Sequence, residues 1–335
     1  MRNETRKLFN DFQNRLATLN GVESVGAKFT VEPSIQQTLE TRMQESSEFL
    51  NSINVIGVNE QQGEKLGLGI SGTIAGRTDT NQNDRQPTDP TDMEGSSYFC
   101  KQTNFDTALR YGKLDAWAKF QDFQTRIRDA ILKRQALDRI MIGFNGTSAA
   151  TQSDRVANPL LQDVNIGWLQ KMRDNAAERV MTEVVDASGK ITIGTSGDYK
   201  NLDALVYDMV NTLIDPWYQD DTELVVLTGR KLLSDKYFPL VNSDLVPTEK
   251  TAADMMISQK RIGGLQAVRV PHFPANTIMV TRLDNLSLYW QEGSRRRNII
   301  DNPKRDQIEN YESSNDAYVV EDYGCAAVAE NIELS

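Results

Sequence analysis

Histidine is almost missing from this chain. In 335 residues there is one, His272, in the proline-bracketed turn Pro271-His272-Phe273-Pro274. A zinc site built on several Cys and His therefore has no donor set, and a Ser-His-Asp triad would have to use this surface-turn residue. Cysteine is nearly as scarce. Cys100 and Cys325 lie far apart with no Cys-x-x-Cys partner, so they read as buried free thiols, not as metal ligands or a disulfide. No apolar run approaches the roughly 18 residues of a membrane span. The opening MRNETRKLFNDFQNRL is positive but has no apolar centre, unlike a secretory signal. Positive charge is in deficit: 37 Lys and Arg face 47 Asp and Glu, a net charge of −10. A dedicated nucleic-acid binder would show a basic excess; this balance favours solubility and repulsion between copies. No P-loop is present.

What is there begins with Leu114 to Gly146. Apolar residues at Leu114, Trp117, Phe120, Phe123, Ile127, Ile131, Leu137, Ile140, Met141 and Phe144 recur at steps of three and four, one face of a helix. The other face pairs Asp115 with Lys119, Asp122 with Arg126, Asp129 with Lys133, and Arg134 with Asp138, each pair adding about 0.2–0.5 kcal/mol. Asn145-Gly146 supplies a left-handed stop. Roughly 30 helical residues make a rod of about 45 Å, longer than a small domain is wide.

Around this beam the expected elements are uneven. Glu4 to Leu19 forms an amphipathic helix with Leu8, Phe12, Leu16 and Leu19 on one side, and little local sequence to bury that side. Thr38 to Ser52 is a second helix and Ile53–Val58 a strand. GEKLGLGISGTIAGRT and YFCKQTNFDTALRYG flank a polar stretch, Asp79 to Ser97, as a long hairpin that projects from its domain. Beyond the beam, VMTEVVDAS and KITIG form a small hairpin about Ser188-Gly189. Leu202–Ile214 and RKLLSDKYFPLVN are helices, and LVVLTG is a strand covered on both faces. GLQAVRVP, TIMVTRL, LSLYWQ, DAYVVEDYG and AAVAENIEL are further strands of a mixed sheet.

Chemical motifs are weak. Gly67-Leu68-Gly69-Ile70-Ser71-Gly72 fits G-x-G-x-x-G, but no helix can start after it to meet a phosphate. Glycine here thins a hairpin arm lying on a neighbour's backbone, and Gly67, Gly69, Gly72 and Gly76 let that arm swing. Arg295-Arg296-Arg297 is the densest cationic cluster and suits an acidic patch on another subunit better than phosphate in a chain this acidic. The beam's basic residues, Arg139 among them, read as a solvated face. The carboxylates permit a glycosidase-type pair by count, yet the pattern singles out no two.

Several stretches carry a likeness. Phe144-Asn145-Gly146-Thr147 followed by Asn158-Pro159, the helix Leu202–Ile214, LVVLTGRKLLSD, RIGGLQAVRVPHFPANTIMV and ENYESSNDAYVVEDYG resemble, in kind and order, the major capsid proteins of tailed bacteriophages. FTVEPSIQQTLETRMQESSEFL, the Phe120–Gln124 block, KRQALD, SDKYFP and ISQKRIGGLQAVRVP are similar to the branch of P-two-like temperate phages with contractile tails. The likeness spans nearly the whole chain and departs from it at Asp79–Ser97 and Val185–Gly197.

The resemblance implies an α+β fold of named parts. These are an N-terminal segment 1–29, an arm 30–58, an extended hairpin loop 59–105, a peripheral domain 106–197 with spine helix 114–145, an axial domain 198–308, and a return 309–335. It implies pentamers and hexamers closing an icosahedral shell around double-stranded DNA, without sequence specificity, enzymatic activity or a cofactor. It also implies a scaffolding protein, a portal protein, and a maturation protease that trims the N-terminus near Lys28, Phe29 and Thr30. Virion residence would follow assembly in the host cytoplasm. The alternatives are a cellular nanocompartment shell of the same architecture and, from another class, a carboxylate-dependent hydrolase.

Overall fold

The computed structural model describes residues 1–65, 69–70, 75, 77–78, 91–92, 97–120, 122–241 and 260–334. The chain opens with α1 (Asn3–Leu19), closed by Asn20 and a left-handed Gly21. β1 (Phe29–Thr30), α2 (Pro33–Glu45), α3 (Glu48–Ser52) and β2 (Asn54–Val58) follow. The hairpin supplies β3 (Gln62–Glu64), β4 (Gly69–Ile70), β5 (Thr91–Asp92) and β6 (Ser97–Phe99), whereas β7 (Lys101–Asn104) and β8 (Thr107–Arg110), expected in its second arm, pair a later strand of the main sheet. Then come α4 (Tyr111–Trp117), α5 (Phe123–Asn145), α6 (Trp168–Asn175), β9 (Val180–Met181), β10 (Ile191–Ile193), α7 (Leu202–Leu213), β11 (Val225–Thr228) and α8 (Arg230–Val241). Strands close the chain: β12 (Arg261–Ile262), β13 (Leu265–Arg269), β14 (Ile278–Thr281), β15 (Leu286–Gln291), β16 (Arg296–Asn302), β17 (Gln307–Val320), β18 (Ala327–Ala329) and β19 (Ile332–Leu334).

Two sheets organise these elements. Among the described residues one has seven strands, with β17 at its centre pairing β15, β16, β7 and β8, while β2 and β1 extend it. The other has six, in the order β12-β13-β11-β14-β18-β9. β11 runs parallel to β13 and antiparallel to β14, and all four of its residues are buried. Val225 and Leu227 face the cluster formed with Ile142, Phe144 and Trp168; Val226 faces the one formed with α7 and α8. The continuous apolar run LVVL thus has a partner on each side, as expected of a doubly covered strand. Strands within 198–308 divide between the two sheets: β11 to β14 join the second, β15 and β16 the first.

Several expectations are corrected. The beam is two helices, broken between Trp117 and Phe123. The interruption holds neither Pro nor Gly, so packing sets it. Leu114 and Phe123 are buried together beneath α1. Phe120, assigned to the apolar stripe, is 47% exposed and lies 4.0 Å under the Arg126 guanidinium. Asp122 places a carboxylate at the start of α5, where the helix dipole favours it, and takes Arg126 at 2.8 Å. Arg134 and Asp138 also pair, at 2.7 Å, whereas Asp129 takes Arg128 and Asp115 accepts the Arg2 backbone N–H. The beam's end is not left-handed: Gly146 has φ −66° and ψ 124°. Glycine is needed there because a Cβ would strike the Asn165 carbonyl.

The opening helix does find a bed on its own chain. It buries Thr5, Phe9, Phe12 and Ala17 against Leu114, Phe123, Ile127, Ile131, Ile299 and Ile308. Leu8 and Leu16 only flank this contact and Leu19 is 53% exposed. The face is rotated from the expected one because Arg6 reaches Asp301 and Arg2 reaches Asp115. The small hairpin about Ser188-Gly189 is also corrected. β9 pairs β18 and β10 pairs β19, both in parallel, so the two segments serve different sheets.

The α5–α6 junction gives a test of sign. Helix propensity alone would make Gly143→Ala stabilising by about 1 kcal/mol. Yet a Cβ at Gly143 runs into the Trp168 ring, which is fully buried and donates from Nε1 to the Ser287 carbonyl at 3.0 Å. The substitution is expected to destabilise by about 1–3 kcal/mol, read from denaturant midpoints.

Candidate assembly surfaces and a buried ionic cluster

The densest chemistry in the molecule lies inside it. Gln135 and Arg139, four residues apart, share a face of α5. Glu312, Ser314 and Asp316 alternate along β17 and so point to one side of the sheet, towards α5. Glu40 comes from α2, and Arg295 immediately precedes β16. Arg139 holds Asp316 with two hydrogen bonds, each of 2.9 Å, and grips Glu40 with both terminal guanidinium nitrogens, Nη1 and Nη2. Arg295 donates to Glu312 at 2.7 Å, to Glu40 at 2.7 Å and to Gln135 at 2.8 Å. Gln135 in turn donates to Glu312 at 3.1 Å, and Ser314 to Asp316 at 3.0 Å. None of the five charged members is more than 4% exposed.

Burial and pairing compete at each group. Burial pushes Glu312 up, but the Arg295 and Arg297 guanidiniums outweigh it and hold the carboxyl at about 2. Burial likewise opposes ionisation of Glu40, and Arg139 and Arg295 again bring it below the usual carboxylate range. At Asp316 burial wins over the Arg139 guanidinium, with Glu40 adding repulsion, and the carboxyl sits above its ordinary value. Three carboxylates therefore converge, but each is committed to arginine and shut from solvent, which leaves no acid–base pair open to a substrate. Among the described residues no group of His, Cys, Asp and Glu is arranged to hold a metal ion. His272 stands in its turn at φ 59°, its carbonyl accepting from Asn145 Nδ2 at 2.8 Å. Both cysteines are buried and free.

The cationic triplet is split by this arrangement. Arg295 is 1% exposed and wholly engaged within the chain, so the expectation that it reaches another subunit is corrected. Arg296 is exposed. Arg297 is half-buried and donates to Asn310 at 2.7 Å. Arg139, read as part of a solvated face, is also internal. The signal was present: Arg139 sits between Ala136 and Ile140, on the face that α5 buries, and Glu312-x-Ser314-x-Asp316 alternates as a strand does.

The segment Lys28-Phe29-Thr30 forms an edge. Phe29 lies opposite Arg297 and Thr30 opposite Arg296, flanked by Ile299 N–H to the Val25 carbonyl at 2.9 Å and Val31 N–H to the Arg295 carbonyl at 2.9 Å. Lys28 and Thr30 are exposed and Phe29 is buried. Of the hairpin glycines, Gly69 stands in β4 opposite Asp92; Gly67, Gly72 and Gly76 lie outside the described residues. The hairpin's base is β3 paired with β6, from Gln62 opposite Phe99 to Glu64 opposite Ser97. No helix among the described residues is long and apolar enough to cross a membrane.

An arm, a hairpin and a long helix laid on two sheets, with its converging charges locked inside, define a shell-building subunit. A chain of the satellite phage P4 procapsid, solved with the size determination (Sid) protein, superposes with a TM-score of 0.84 at 52% identity, covering 100% of this chain and 99% of that one. The capsid of an empty GTA particle shares the fold at TM-score 0.50 and 14% identity, over 86% of this chain and 90% of that one. The capsid protein of Escherichia phage P2 is 54% identical, across 100% of this chain and 96% of its own length. The major capsid protein of Serratia phage KSP20 is 43% identical, across 100% and 98%. Residues 8–332 match the P2 family of phage major capsid proteins, and the chain belongs to that family. It is a subunit of the phage capsid shell and so of the virion, a structural and not an enzymatic role.

The cluster's electrostatics have a sign that can be tested. A carboxyl held down by pairing contributes stability that is complete above its unfolded value and is lost as the pH falls through its folded one. For Glu312 that window runs from 4.5 down to about 2. Asp316 acts in the opposite sense, its raised value making ionisation costly. Glu312→Gln is expected to cost about 3–5 kcal/mol near neutral pH by breaking the buried Arg295–Glu312 ion pair and leaving Glu40 as the carboxylate that Arg295 still holds. The gap to the wild type in thermal unfolding should narrow as the pH falls from 4.5 towards 2.

Proposed function

We propose that this chain builds an immature shell with a scaffolding protein and then matures to a DNA-filled head. The observation that carries the proposal is full-length similarity, at TM-score 0.84, to a chain of a procapsid. In this reading copies form pentamers and hexamers around a portal protein in the host cytoplasm. Double-stranded DNA is packed without sequence specificity against a wall whose net charge is −10. Residues 59–105 form an extended loop laid on a neighbour, swinging about Gly67, Gly69, Gly72 and Gly76. Residues 106–197 and the return 309–335 form a peripheral domain, and 198–308 an axial domain. Arg296 and Arg297 contribute charge at a subunit boundary. Contacts that are weak singly become strong together, because each later one forms at high effective concentration.

A maturation protease would trim the segment 1–29 near Lys28, Phe29 and Thr30, leaving an arm 30–58. A protease needs an extended, unpaired segment, so β1 must leave β16 before the cut. Release of α1 would uncover Leu114, Ile127 and Ile131, which α1 now covers. Trimming is thus tied to a rearrangement that covers this face again.

Electron microscopy of particles from cells expressing the chain with its scaffold tests both extensions. The full chain should give closed shells. Deleting 79–97 should abolish them yet leave soluble subunits, and deleting 1–29 before assembly should disturb closure and size. Normal shells from either deletion would contradict the role given to that segment.

A further inference from the structure

Charge is spread unevenly along this chain, and one stretch runs against the whole. Acidic residues exceed basic ones by ten over the full sequence. Between residues 111 and 134, which span α4, the break after it and the first half of α5, six basic residues face three acidic ones. Residues 1–29, whose helix α1 lies on this stretch, add five basic and three acidic residues. The acidity of the molecule therefore resides elsewhere, and the beam with its cover is a basic face.

Tertiary contact sharpens the imbalance. Asp115 stands four residues before Lys119, and Asp129 four before Lys133, the spacing of a helical ion pair. Neither pair forms. Asp115 accepts the Arg2 backbone N–H at 2.9 Å, and Asp129 takes Arg128 at 2.9 Å. Lys119 and Lys133 are exposed and make no ion pair among the described residues. Arg126 and Lys133, seven residues apart, share one ridge of α5 at a separation of about 10 Å. Lys119, seven residues before Arg126, stands in the break at the end of that ridge. Arg126 is tied to Asp122, but that pair is open to water and weak. Lys113 lies 5.4 Å over the Trp117 ring and Arg126 lies 4.0 Å over the Phe120 ring, so each aromatic at the break is faced by a cation.

A row of exposed cations is stabilised by a polyanion, which sheds its own counterions on meeting them. A protein partner would call for an apolar centre within a polar rim. The apolar residues of this side, Leu114, Phe123, Ile127 and Ile131, are instead turned under α1, and the exposed ring of Phe120 is already stacked under Arg126. Lysine is a point charge on a flexible stem, suited to backbone phosphates and carrying no sequence information. We propose that the ridge of Lys113, Lys119, Arg126 and Lys133 is the part of the shell wall that meets packaged double-stranded DNA, through its phosphates. This rests on the reading of a DNA-filled head given above and adds to it the surface that touches the DNA. The ridge lies outside residues 1–29 and so outlasts their removal. It also reconciles a strongly acidic subunit with a DNA cargo: most of the wall repels the duplex, and one ridge per copy holds it.

The experiment uses whole heads. Immature shells with scaffold, DNA-filled heads, and mature heads from which the DNA has been expelled are treated with a small acetylating reagent, and each lysine is followed by mass spectrometry. Lys119 and Lys133 should react several-fold more slowly in filled heads than in emptied ones, with Lys190 and Lys304 unchanged as exposed controls. The protection should weaken as salt rises. K119E/K133E alters only exposed side chains, so its shells should close as the wild type's do, yet yield several-fold fewer filled heads. K119R/K133R, which keeps the charge, should fill normally. Equal reactivity in filled and emptied heads would overturn the inference, as would wild-type filling by K119E/K133E. So would protection that is present with scaffold and lost on filling, which would assign the ridge to an acidic protein. In these outcomes wild-type heads still fill, so the DNA-filled head survives and the ridge alone fails; wild-type shells that never take up DNA would remove that reading and the ridge with it.

Discussion

Seven side chains, from α2, α5, β17 and the residue before β16, meet out of reach of water, and the arrangement of the arm, the helix and the seven-stranded sheet follows from their having to satisfy one another. Burying charge is costly, and a buried guanidinium without its carboxylates is costlier still. Glu40 is bound by both Arg139 and Arg295, so α2 cannot move off α5 without uncovering two cations at once. Hydrophobic contacts between these elements would tolerate sliding by a fraction of a turn. Directional, bidentate contacts do not. The cluster therefore fixes register more than it adds net stability.

That register reaches the arm edge and the hairpin base. Arg295 gives its side chain to the cluster and its carbonyl to Val31, so the strand bearing Lys28, Phe29 and Thr30 is tethered to the same residue that neutralises Glu40. Asp316 is in the cluster and, through its carbonyl, accepts from Asn165 at 2.9 Å, at the start of the turn into α6. It also lies opposite Lys101 in the pairing of β17 with β7. The hairpin base and the arm edge are thus two extensions of one rigid centre. In the assembly proposed above this combination has a use, because there the extensions place the neighbours and their angles must be set by something that does not give.

Much of the fold was legible because period and composition agree over long stretches. Leu202, Leu205, Val206 and Met209 mark α7, and LVVL marks a strand covered on both faces. The blocks of family likeness placed these parts in order. Errors arose where tertiary contact overrode local pattern. Nothing between Trp117 and Phe123 announces a break, since it depends on α1 lying across Leu114 and Phe123. The rotation of α1 depends on Asp301, nearly three hundred residues away. Arg295 looked like surface because three adjacent arginines usually are; only the partner positions Glu40 and Glu312, distant in sequence, make it internal. Strand β16 was missed for the same reason, its polar RRN start masking a strand between two partners. A buried ionic cluster leaves little trace in a sequence read locally, because each member alone resembles a solvated charge.

Backbone hydrogen exchange in the Arg295→Met chain tests most directly whether the cluster sets this register. Loss of protection in both α2 and β1, with protection retained in β11 and β14 of the six-stranded sheet, is the result expected. Unchanged protection along residues 25–45 would contradict it, and would mean that apolar packing alone holds the arm in place.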